Sequence, residues 1–374
     1  MKPETIAIHT PNTRRDGEIA PAISLTTTFE HGPDNELLHG YQYIRTGNPN
    51  VSDLEEKLAA VEGGIGCLTF ASGMAAGTAV LHTLRPGAIV LFHTELYFLF
   101  GELIRQSAEK LGLDCRQVDL RDADAVFSEL DDEIDLIWFE TPSNPCMELI
   151  DIERIVTHAK SVGAKTLIDG TFATPAIQNP IELGVDIVLH SLTKGIGGHS
   201  DVQGGALIFN SLDKHYQQIA EYRNMTGNVL SPFNAWLIAR GLTTLHCRIE
   251  KQSQNAAEVA TAMEAHPMIK QAHYPFLESG PDIDLAKRQM KLGGSMLSLE
   301  LKGGAAKALM FAAKVKLFVN ATSLGGVESL IEHRKSVEGE ASTAPGGLIR
   351  ISIGLEHSQD LIDDLEQALA SITV

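Results

Sequence analysis

The sequence is poor in cysteine and lacks any long apolar run. Its four cysteines are widely scattered and form no C-x-x-C pair: Cys67, Cys115, Cys146 and Cys247. We therefore expect neither a metal site nor a disulfide framework. No apolar run is long enough to span a bilayer, and the N-terminus lacks the apolar stretch of a signal peptide. These absences together predict a protein of the reducing cytoplasm.

Positive charge is also scarce. Lys and Arg number 30 against 48 Asp and Glu, which gives a formal net charge of −18. A surface this acidic argues against nucleic acids and anionic membranes as partners. What is present is ordinary globular composition, with 374 residues of which 44% are hydrophobic and 21% charged. That length predicts a large core and two domains.

The order of apolar runs and helical segments predicts an α/β fold. Residues 1–50 show little helical period and predict an N-terminal arm. Ser52 is the predicted cap of the first helix of the large domain, with Glu55 completing a capping box. Predicted strands then alternate with helices, which indicates a mostly parallel sheet covered on both faces, over residues 51–232. These strands are 66–70, 88–92, 134–139, 166–169, 186–190 and 205–209.

The remaining residues, 233–374, predict a smaller C-terminal α+β domain. It opens with a long helical segment over about 231–265. Strand-like runs follow at 294–300, 317–320 and 348–353, separated by helices.

A lysine in a glycine-rich loop is the strongest functional signal. Lys194 lies between Ser191, Thr193 and a run of glycines, directly after the predicted strand 186–190. In open α/β sheets, ligands bind at the carboxyl ends of the strands. A lysine there can form a Schiff base, and the flanking hydroxyls can hold a phosphate. Pyridoxal 5′-phosphate (PLP) carries both an aldehyde and a phosphate.

Three further groups follow predicted strands at the same edge. Gly73 and Met74 open a helix after Ser72, and helix N-termini suit phosphate. Asn144 lies in a proline-rich turn and could donate to a cofactor oxygen. Asp169 ends a strand, and a buried carboxylate there could pair with a protonated pyridine nitrogen. Taken singly, each of these groups is better explained as a cap, a turn or a structural hydrogen bond; four on one edge favour a cofactor site.

The chain resembles the Cys/Met-metabolism PLP enzymes, the family of cystathionine γ-synthase, cystathionine γ-lyase and methionine γ-lyase. The resemblance covers nearly the whole chain. It is carried by these segments, in order: Tyr43-Ile-Arg45, Ala71-Ser-Gly-Met-Ala75, Glu140-Thr-Pro-Ser-Asn-Pro145, Asp169-Gly-Thr-Phe-Ala-Thr-Pro175, Ser191 to Gly205, Ser323-Leu-Gly-Gly-Val-Glu-Ser-Leu330 and Leu348-Ile-Arg350. It implies the type I fold of PLP-dependent transferases, which is aspartate-aminotransferase-like.

The resemblance also implies how the cofactor is held. Lys194 would carry PLP and move protons, Asp169 would pair with the pyridine nitrogen, and Tyr97 would stack on the ring and act in acid–base steps. The phosphate would be held by four residues of the same chain: Gly73, Met74, Ser191 and Thr193. Tyr43 and Arg45 would reach the phosphate of a neighbouring subunit. The shared sites imply at least a dimer, and the family suggests a homotetramer built as a dimer of dimers.

On the substrate side, the resemblance makes Arg350 the clamp for an amino-acid carboxylate, helped by Ser323 and Asn144. A guanidinium suits this task because it binds a carboxylate bidentately.

Several positions depart from the family pattern, and they concern the substrate rather than the cofactor. They are Phe98, Leu99, Gly170, Thr322 and the segment 334–339. Phe98 and Leu99 replace the usual Gly-Gly or Gly-Cys, so the methionine γ-lyase cysteine is absent. Thr322 stands where cystathionine enzymes usually carry a glutamate for the distal amino group.

The expected reaction is therefore γ-elimination on a four-carbon sulfur or homoserine-type amino acid, giving 2-oxobutanoate and ammonia. The alternative is γ-replacement on an O-acylhomoserine. A PLP-binding protein without catalysis is disfavoured by the intact Lys194, Asp169, Tyr97 and Arg350. An NAD-dependent dehydrogenase is disfavoured because no G-x-G-x-x-G follows the first strand.

Overall fold

The architecture comes from a computed structural model that describes residues 1–11, 17–128, 133–339, 342 and 344–372. Within these residues, the strands form a seven-stranded sheet and a separate five-stranded sheet. The predicted α/β class is confirmed, with a large sheet and a smaller C-terminal one. In the described part of the chain, no helix has both the length and the apolar character needed to cross a bilayer.

The large sheet is mostly parallel, as predicted. Its strands are β1 Gly66–Phe70, β2 Ile89–His93, β3 Asp114–Val118, β4 Leu136–Glu140, β5 Lys165–Asp169, β6 Ile187–Ser191 and β7 Gly205–Phe209. They lie in the order β1-β7-β6-β5-β4-β2-β3. Of these seven strands, β7 alone runs opposite to the rest. The carboxyl ends of β1, β4, β5 and β6 therefore meet at one edge, where ligands bind in open sheets.

Helices cover this sheet on both faces and pack their apolar side chains against it. The helices up to the end of the sheet are α1 Pro3–His9, α2 Pro49–Glu62, α3 Gly73–His82, α4 Phe98–Leu111, α5 Ala123–Ser128, α6 Ile152–Val162 and α7 Thr174–Ile177. They are followed by α8 Lys214–Thr226, α9 Pro232–Thr243 and α10 Leu245–Glu264. The central strands β4 and β7 are buried at every position, as expected for strands covered on both faces.

The smaller sheet is mostly antiparallel. Its strands are β8 Ile269–His273, β9 Met296–Leu301, β10 Val319–Asn320, β11 Leu330–His333 and β12 Leu348–Ser352, in the order β10-β11-β12-β9-β8. The helices of this part are α11 Ile283–Gln289, α12 Gly304–Ala312, α13 Arg334–Glu338 and α14 Ser358–Ser371. The apolar side chains of α10, α12 and α14 pack against the sheet in a core of its own.

The N-terminal part differs from its prediction in two respects. Residues 3–9 form the short helix α1. The next helix begins at Pro49, where Asn48 caps it by accepting the N–H of Asn50. Ser52 therefore lies inside α2, and Glu55 accepts the backbone N–H of Thr69 at 2.8 Å instead of closing a capping box. Proline at the first helical position explains the earlier start.

The boundaries also differ in the C-terminal half. The long helix expected over 231–265 is divided at Thr244 into α9 and α10. Three strands carry no clear apolar run and were not predicted: β3, β8 and β11. Strands β3 and β8 lie at the edges of their sheets. An edge strand is less enclosed than an interior strand, so it tolerates polar residues.

Candidate active site

One cavity of about 340 Å³ opens at the carboxyl edge of the large sheet. It is lined by ten of the residues singled out from the sequence: Gly73, Met74, Tyr97, Asn144, Asp169, Ser191, Thr193, Lys194, Ser323 and Arg350. These residues come from segments far apart in the chain. The fold therefore brings the predicted cofactor and substrate groups together in one place.

Lys194 lies in the loop after β6 and points across to the C-terminal part of the chain. Its Nζ donates to Ser323 Oγ at 2.9 Å. Burial, reinforced by the positive charge of Arg350, lowers the pKa of the amine. A lysine with a lowered pKa has a larger neutral fraction at neutral pH, and the neutral amine is the form that attacks a carbonyl or accepts a proton.

Asp169 ends β5 and is 4% exposed. Its Oδ1 accepts the backbone N–H of Thr171 at 3.0 Å. Burial raises the pKa of the carboxyl group, and no salt bridge to a basic side chain forms within the described residues. A buried carboxylate without a cation beside it is costly unless a ligand supplies the charge.

The N-terminus of α3 is pressed close against the neighbouring strands. Ser72 caps it by accepting the N–H of Ala75 at 3.1 Å. A Cβ on Gly205 would lie 2.2 Å from the carbonyl oxygen of Ser72, and one on Gly73 would lie 3.2 Å from Ser191 Cβ. Only glycine fits at position 205. The close approach sets the first turn of α3, with its unpaired N–H groups, beside Ser191 and Thr193.

Tyr97 precedes α4 and is fixed by a buried carboxyl group. Glu140, at the end of β4, accepts the backbone N–H of Tyr97 at 2.7 Å. Burial, and then the nearby Asp169, raises the pKa of Glu140. Burial also raises the pKa of the Tyr97 hydroxyl, so the phenol is protonated at neutral pH. Glu140 lies in a segment that the sequence singled out, but its bond to Tyr97 was not predicted.

Arg350 lies in the middle of β12 and is 4% exposed. Its Nη1 donates to Asn144 Oδ1 at 3.1 Å, and its Nη2 donates to the carbonyl of Ser323 at 3.2 Å and to Glu332. Burial lowers the pKa of Arg350 to about 10, so the guanidinium keeps its charge at neutral pH. These bonds hold the planar group in one orientation and leave further N–H groups for a ligand.

Residues 4–370 match the Cys/Met metabolism PLP-dependent enzyme family. The chain is also 42% identical to a cystathionine γ-synthase of Mycobacterium tuberculosis, covering 98% of this chain and 96% of the relative. It belongs to the Cys/Met metabolism PLP-dependent enzymes.

Two other members of this family are similar to the chain to almost the same degree. A cystathionine γ-lyase of Dictyostelium discoideum is 39% identical, over 95% of this chain and 94% of the relative. The crystal structure of a cystathionine γ-synthase of Xanthomonas oryzae pv. oryzae in complex with cystathionine superposes with a TM-score of 0.94. It is 37% identical, over 100% of this chain and 98% of that one. The expected family, fold and PLP dependence are thereby confirmed.

The residues present fit the cofactor of this family. Asp169 is a buried carboxyl group that lacks a cationic partner in the described structure, and a protonated pyridine nitrogen would supply one. The Nζ of Lys194 and the first turn of α3 open onto the same cavity, as an aldehyde and a phosphate of one molecule require. The individual roles of these side chains remain predictions.

Two residues of α10 that were not predicted from the sequence support the site from outside the cavity lining. Arg248 donates to the carbonyls of Gly195 at 2.8 Å and Gly241 at 2.8 Å. One helical turn later, Gln252 donates to the carbonyl of Gly326 at 2.6 Å. Residues four apart lie on one face of a helix, so α10 ties the lysine loop to the loop after Ser323. In the sequence, the four-residue spacing of Arg248 and Gln252 was the only feature that could have indicated this role.

Four singled-out positions lie outside the cavity lining. Tyr43 is 44% exposed, and Arg45 donates to the carbonyl of Asn224 at 2.9 Å. Their predicted contact with a neighbouring subunit is untested in a single chain. Leu99 lies in an adjoining cavity, and a Cβ on Gly170 would come within 2.8 Å of the His190 ring.

Three departures from the family pattern do line the cavity. They are Phe98, Thr322 and the atypical segment 334–339, which lines the cavity through Arg334 and Val337. These three expected departures therefore face the same space as Lys194 and Arg350, whereas Leu99 and Gly170 do not.

Proposed function

We propose that this chain catalyses γ-replacement on an O-acylhomoserine, with a thiol as the acceptor. The observation that carries the proposal is the 42% identity to a cystathionine γ-synthase over nearly the whole chain. The sequence alone favoured γ-elimination and kept replacement as the alternative; the relatives reverse that order. In the reaction, the Cγ–O bond of the ester breaks and a Cγ–S bond forms. The carboxylic acid leaves, and the thiol loses its proton.

Arg350 would receive the α-carboxylate of the substrate. Its guanidinium is held by Asn144 and the Ser323 carbonyl. A guanidinium already fixed by the protein loses little freedom on binding, and its unused N–H groups, on Nε and Nη1, can donate to a carboxylate. This contact would place the amino group and Cα of the substrate toward Lys194, which lines the same cavity.

Lys194 would move the protons. When bound, PLP supplies the electron sink that makes the α-proton acidic. The lowered pKa of Lys194 keeps its amine ready to take that proton and to return one. Ser323, whose Oγ accepts from Lys194 Nζ at 2.9 Å, would hold the amine over the cavity between transfers.

The other cofactor contacts follow from position. Asp169 would hold the ring nitrogen in its protonated form, and Tyr97 would cover the ring. Gly73, Met74, Ser191 and Thr193 lie together at one end of the cavity and would take the phosphate through backbone N–H groups and hydroxyls.

We also propose the division of the chain and its assembly. Residues 51–232 would bind the cofactor, 233–374 would complete the substrate side, and 1–50 would form an arm of a homotetramer with shared sites. Part of the arm is fastened to its own chain, since Trp236 donates to the carbonyl of Pro21 at 2.8 Å. Tyr43 remains exposed and free to meet a neighbour. Light scattering of the wild type would test the tetramer, and a stable monomer would contradict it.

γ-Elimination is the second candidate. It is favoured by the 39% identity to a cystathionine γ-lyase and uses the same residues. The two reactions share their steps up to the loss of the γ-substituent and diverge after it. Without a thiol acceptor, the remaining four-carbon unit is hydrolysed to 2-oxobutanoate and ammonia.

One experiment separates the two reactions. O-acetyl- and O-succinyl-L-homoserine are each incubated with the purified PLP-loaded enzyme, with and without cysteine, and both thioether and 2-oxobutanoate are measured. We expect thioether to dominate when cysteine is present. Equal amounts of 2-oxobutanoate with and without cysteine, and no thioether, would contradict γ-replacement. The variant Lys194→Ala gives the background.

A further inference from the structure

A buried pair of ionisable side chains lies behind the cavity. His190, the residue before Ser191 in β6, is 1% exposed, and Glu62, the last residue of α2, is fully buried. His190 Nε2 and Glu62 Oε2 lie 2.8 Å apart. Neither side chain lines the cavity, and the proposed reaction gives neither of them a role. Because burying two ionisable groups costs desolvation free energy, the pair is expected to have a task beyond packing.

The sheet makes room for the His190 ring with two small residues. His190 is the register partner of Ala206 in β7. On its other side, a Cβ on Gly170 would lie 2.8 Å from His190 Cε1 and 3.2 Å from Val188 Cγ1. The φ of Gly170 is not positive, so its backbone does not demand glycine. The imidazole ring therefore accounts for glycine at this position, which is one of the departures from the family pattern.

The surroundings of the pair decide how many protons it holds. Nδ1 of His190 and Oε1 of Glu62 are buried and have no hydrogen-bond partner. Arg223 is paired with Glu55 of α2 and does not offset the charge of Glu62. With only one shared proton, the pair would carry a net negative charge away from water, which desolvation disfavours. A second proton on Nδ1 makes the pair neutral as a whole, with an imidazolium beside a carboxylate.

The imidazolium acts on Asp169 from the opposite face of the sheet. Asp169 is the register partner of Leu189, and successive residues of a strand face opposite sides. His190 therefore lies on the face covered by α2, behind the carboxyl group of Asp169. Burial raises the pKa of Asp169, whereas its bonds to Thr171 and the positive charge of His190 lower it. His190 forms its salt bridge with Glu62 and not with Asp169, so this influence acts through space.

We propose that Glu62 and His190 form a positioning pair that keeps Asp169 ionised, and that position 170 is glycine in order to admit the imidazole ring. An ionised Asp169 would in turn hold the pyridine nitrogen of PLP in its protonated form. The inference rests on the proposed contact between Asp169 and that nitrogen. It is independent of whether γ-replacement or γ-elimination follows.

The state of the ring nitrogen tests the pair without turnover. The apoenzyme is reconstituted with PLP that carries ¹⁵N in its ring, and solid-state NMR reports whether this nitrogen is protonated. We expect the pyridinium signal in the wild type. In His190→Gln, which keeps a donor for Glu62 but cannot carry a charge, the signal should shift toward that of neutral pyridine. The dissociation constant of PLP should rise about 10-fold, the equivalent of one pKa unit. An unchanged ring signal would overturn the proposal.

Two further variants act on the pair without removing the histidine. Glu62→Gln deprives the imidazolium of its counter-ion and should reproduce the shift seen in His190→Gln. Gly170→Ala keeps both ionisable groups but presses a methyl group against the His190 ring, and it should cause a smaller shift in the same direction. A wild-type ring signal in both variants would contradict the proposal even if His190→Gln does not fold.

The matched control is His93→Gln. His93 is also fully buried, ends the neighbouring strand β2 and does not line the cavity. This variant should leave the ring signal and the affinity for PLP unchanged. A shift as large as that of His190→Gln would indicate a general effect on the fold and would contradict a role specific to His190.

Asp169→Asn separates this inference from the contact on which it rests. The variant should lose the pyridinium signal altogether. If it keeps that signal, the proposed contact of Asp169 with the ring nitrogen is wrong. If the signal is lost in Asp169→Asn and unchanged in His190→Gln, the contact stands and the role of the pair is wrong.

Discussion

The cavity has two walls of different origin, and they differ in how closely they follow the family pattern. The cofactor wall is built from residues at or just after the carboxyl ends of β1, β5 and β6, and it includes Asp169 and Lys194. The substrate wall is built from Phe98 on one side and from Thr322, Arg334 and Arg350 of the C-terminal part on the other. The cofactor wall matches the expected family motifs except at Gly170. The substrate wall carries three of the positions that differ from the expected family pattern.

This difference indicates which positions can change the substrate specificity without affecting the cofactor. On the cofactor wall, backbone contacts leave almost no room, as the 2.2 Å approach at Gly205 demonstrates. On the substrate wall, the groups are side chains on α4, β12 and α13, and a substitution there alters a contact without moving the cofactor. Variants of the cofactor wall should slow every substrate by a similar factor, whereas variants of the substrate wall should change the ratio between substrates.

The largest effect is expected at Lys194. In Lys194→Ala, kcat should fall about 10⁴-fold for every substrate, because the group that moves the protons is gone. The matched control is Lys57→Ala, which removes another lysine whose pKa is lowered by burial but which lies outside the cavity. Stopped-flow product formation measures both. Retained activity in Lys194→Ala would contradict the role of Lys194 in proton transfer.

A smaller effect, with a different signature, is expected at Arg350. Arg350→Lys keeps the charge but loses the planar guanidinium and its several donors, so kcat/KM should fall about 100-fold, mainly through KM. The cofactor absorption should be unchanged, since Arg350 belongs to the substrate wall. Spectrophotometry and steady-state kinetics test this pair of outcomes. A loss of cofactor with little change in KM would show that Arg350 belongs to the cofactor wall and would contradict the separation of the two walls.

The packing of the cofactor wall is tested at Gly205. A methyl group there would press on the Ser72 carbonyl and displace the start of α3. We expect Gly205→Ala to lower stability by about 1–3 kcal/mol and to weaken PLP retention. Gly346→Ala is the control, since nothing lies within 4 Å of its added Cβ. Denaturant titration and PLP release provide the measurements. Identical behaviour of the two variants would count against a rigid cofactor wall.

The smallest effect is expected outside both walls, at His93 on the end of β2. Burial lowers the pKa of its ring to about 4, from 6.5, and its Nδ1 accepts the N–H of Leu120 at 3.1 Å. The unfolded chain therefore binds a proton at a higher pH than the folded one. The stabilising contribution is complete above pH 6.5 and is lost as the pH falls toward 4.

The change from pH 6.5 to 5.5 should cost about 1 kcal/mol. Urea unfolding of the wild type at both values measures it, and His93→Gln should flatten the difference. A variant with the same pH dependence as the wild type would assign the acid sensitivity to other groups.

The cofactor wall was predictable because its residues are local in sequence. Lys194 and Asp169 each follow an apolar run, so their place at the sheet edge could be read from the strand pattern. The strands at 66–70 and 205–209 have the predicted bounds. The edge strand β3 escaped prediction because Asp114, Arg116 and Gln117 face solvent or an edge and carry no apolar alternation.

The substrate wall was predictable only in part. Arg350 lies in an apolar strand and was singled out, whereas β11 was missed because Glu332 and His333 interrupt its apolar character. Both of these side chains are buried. Glu332 is neutralised by arginines from positions 334 and 350, and a sequence pattern cannot show which distant charge makes a buried carboxylate acceptable.

The fold class, the family and the cofactor chemistry could be predicted from the sequence, because strand periodicity and short motifs are properties of neighbouring residues. Three other features appear only in the folded chain: the contact of Arg334 with Phe98, the link that α10 makes between the lysine loop and the loop after Ser323, and the one carboxylate that pairs with two guanidiniums. Those contacts join segments separated by tens to hundreds of residues. Their energies depend on burial and mutual distance, which exist only once the chain has folded.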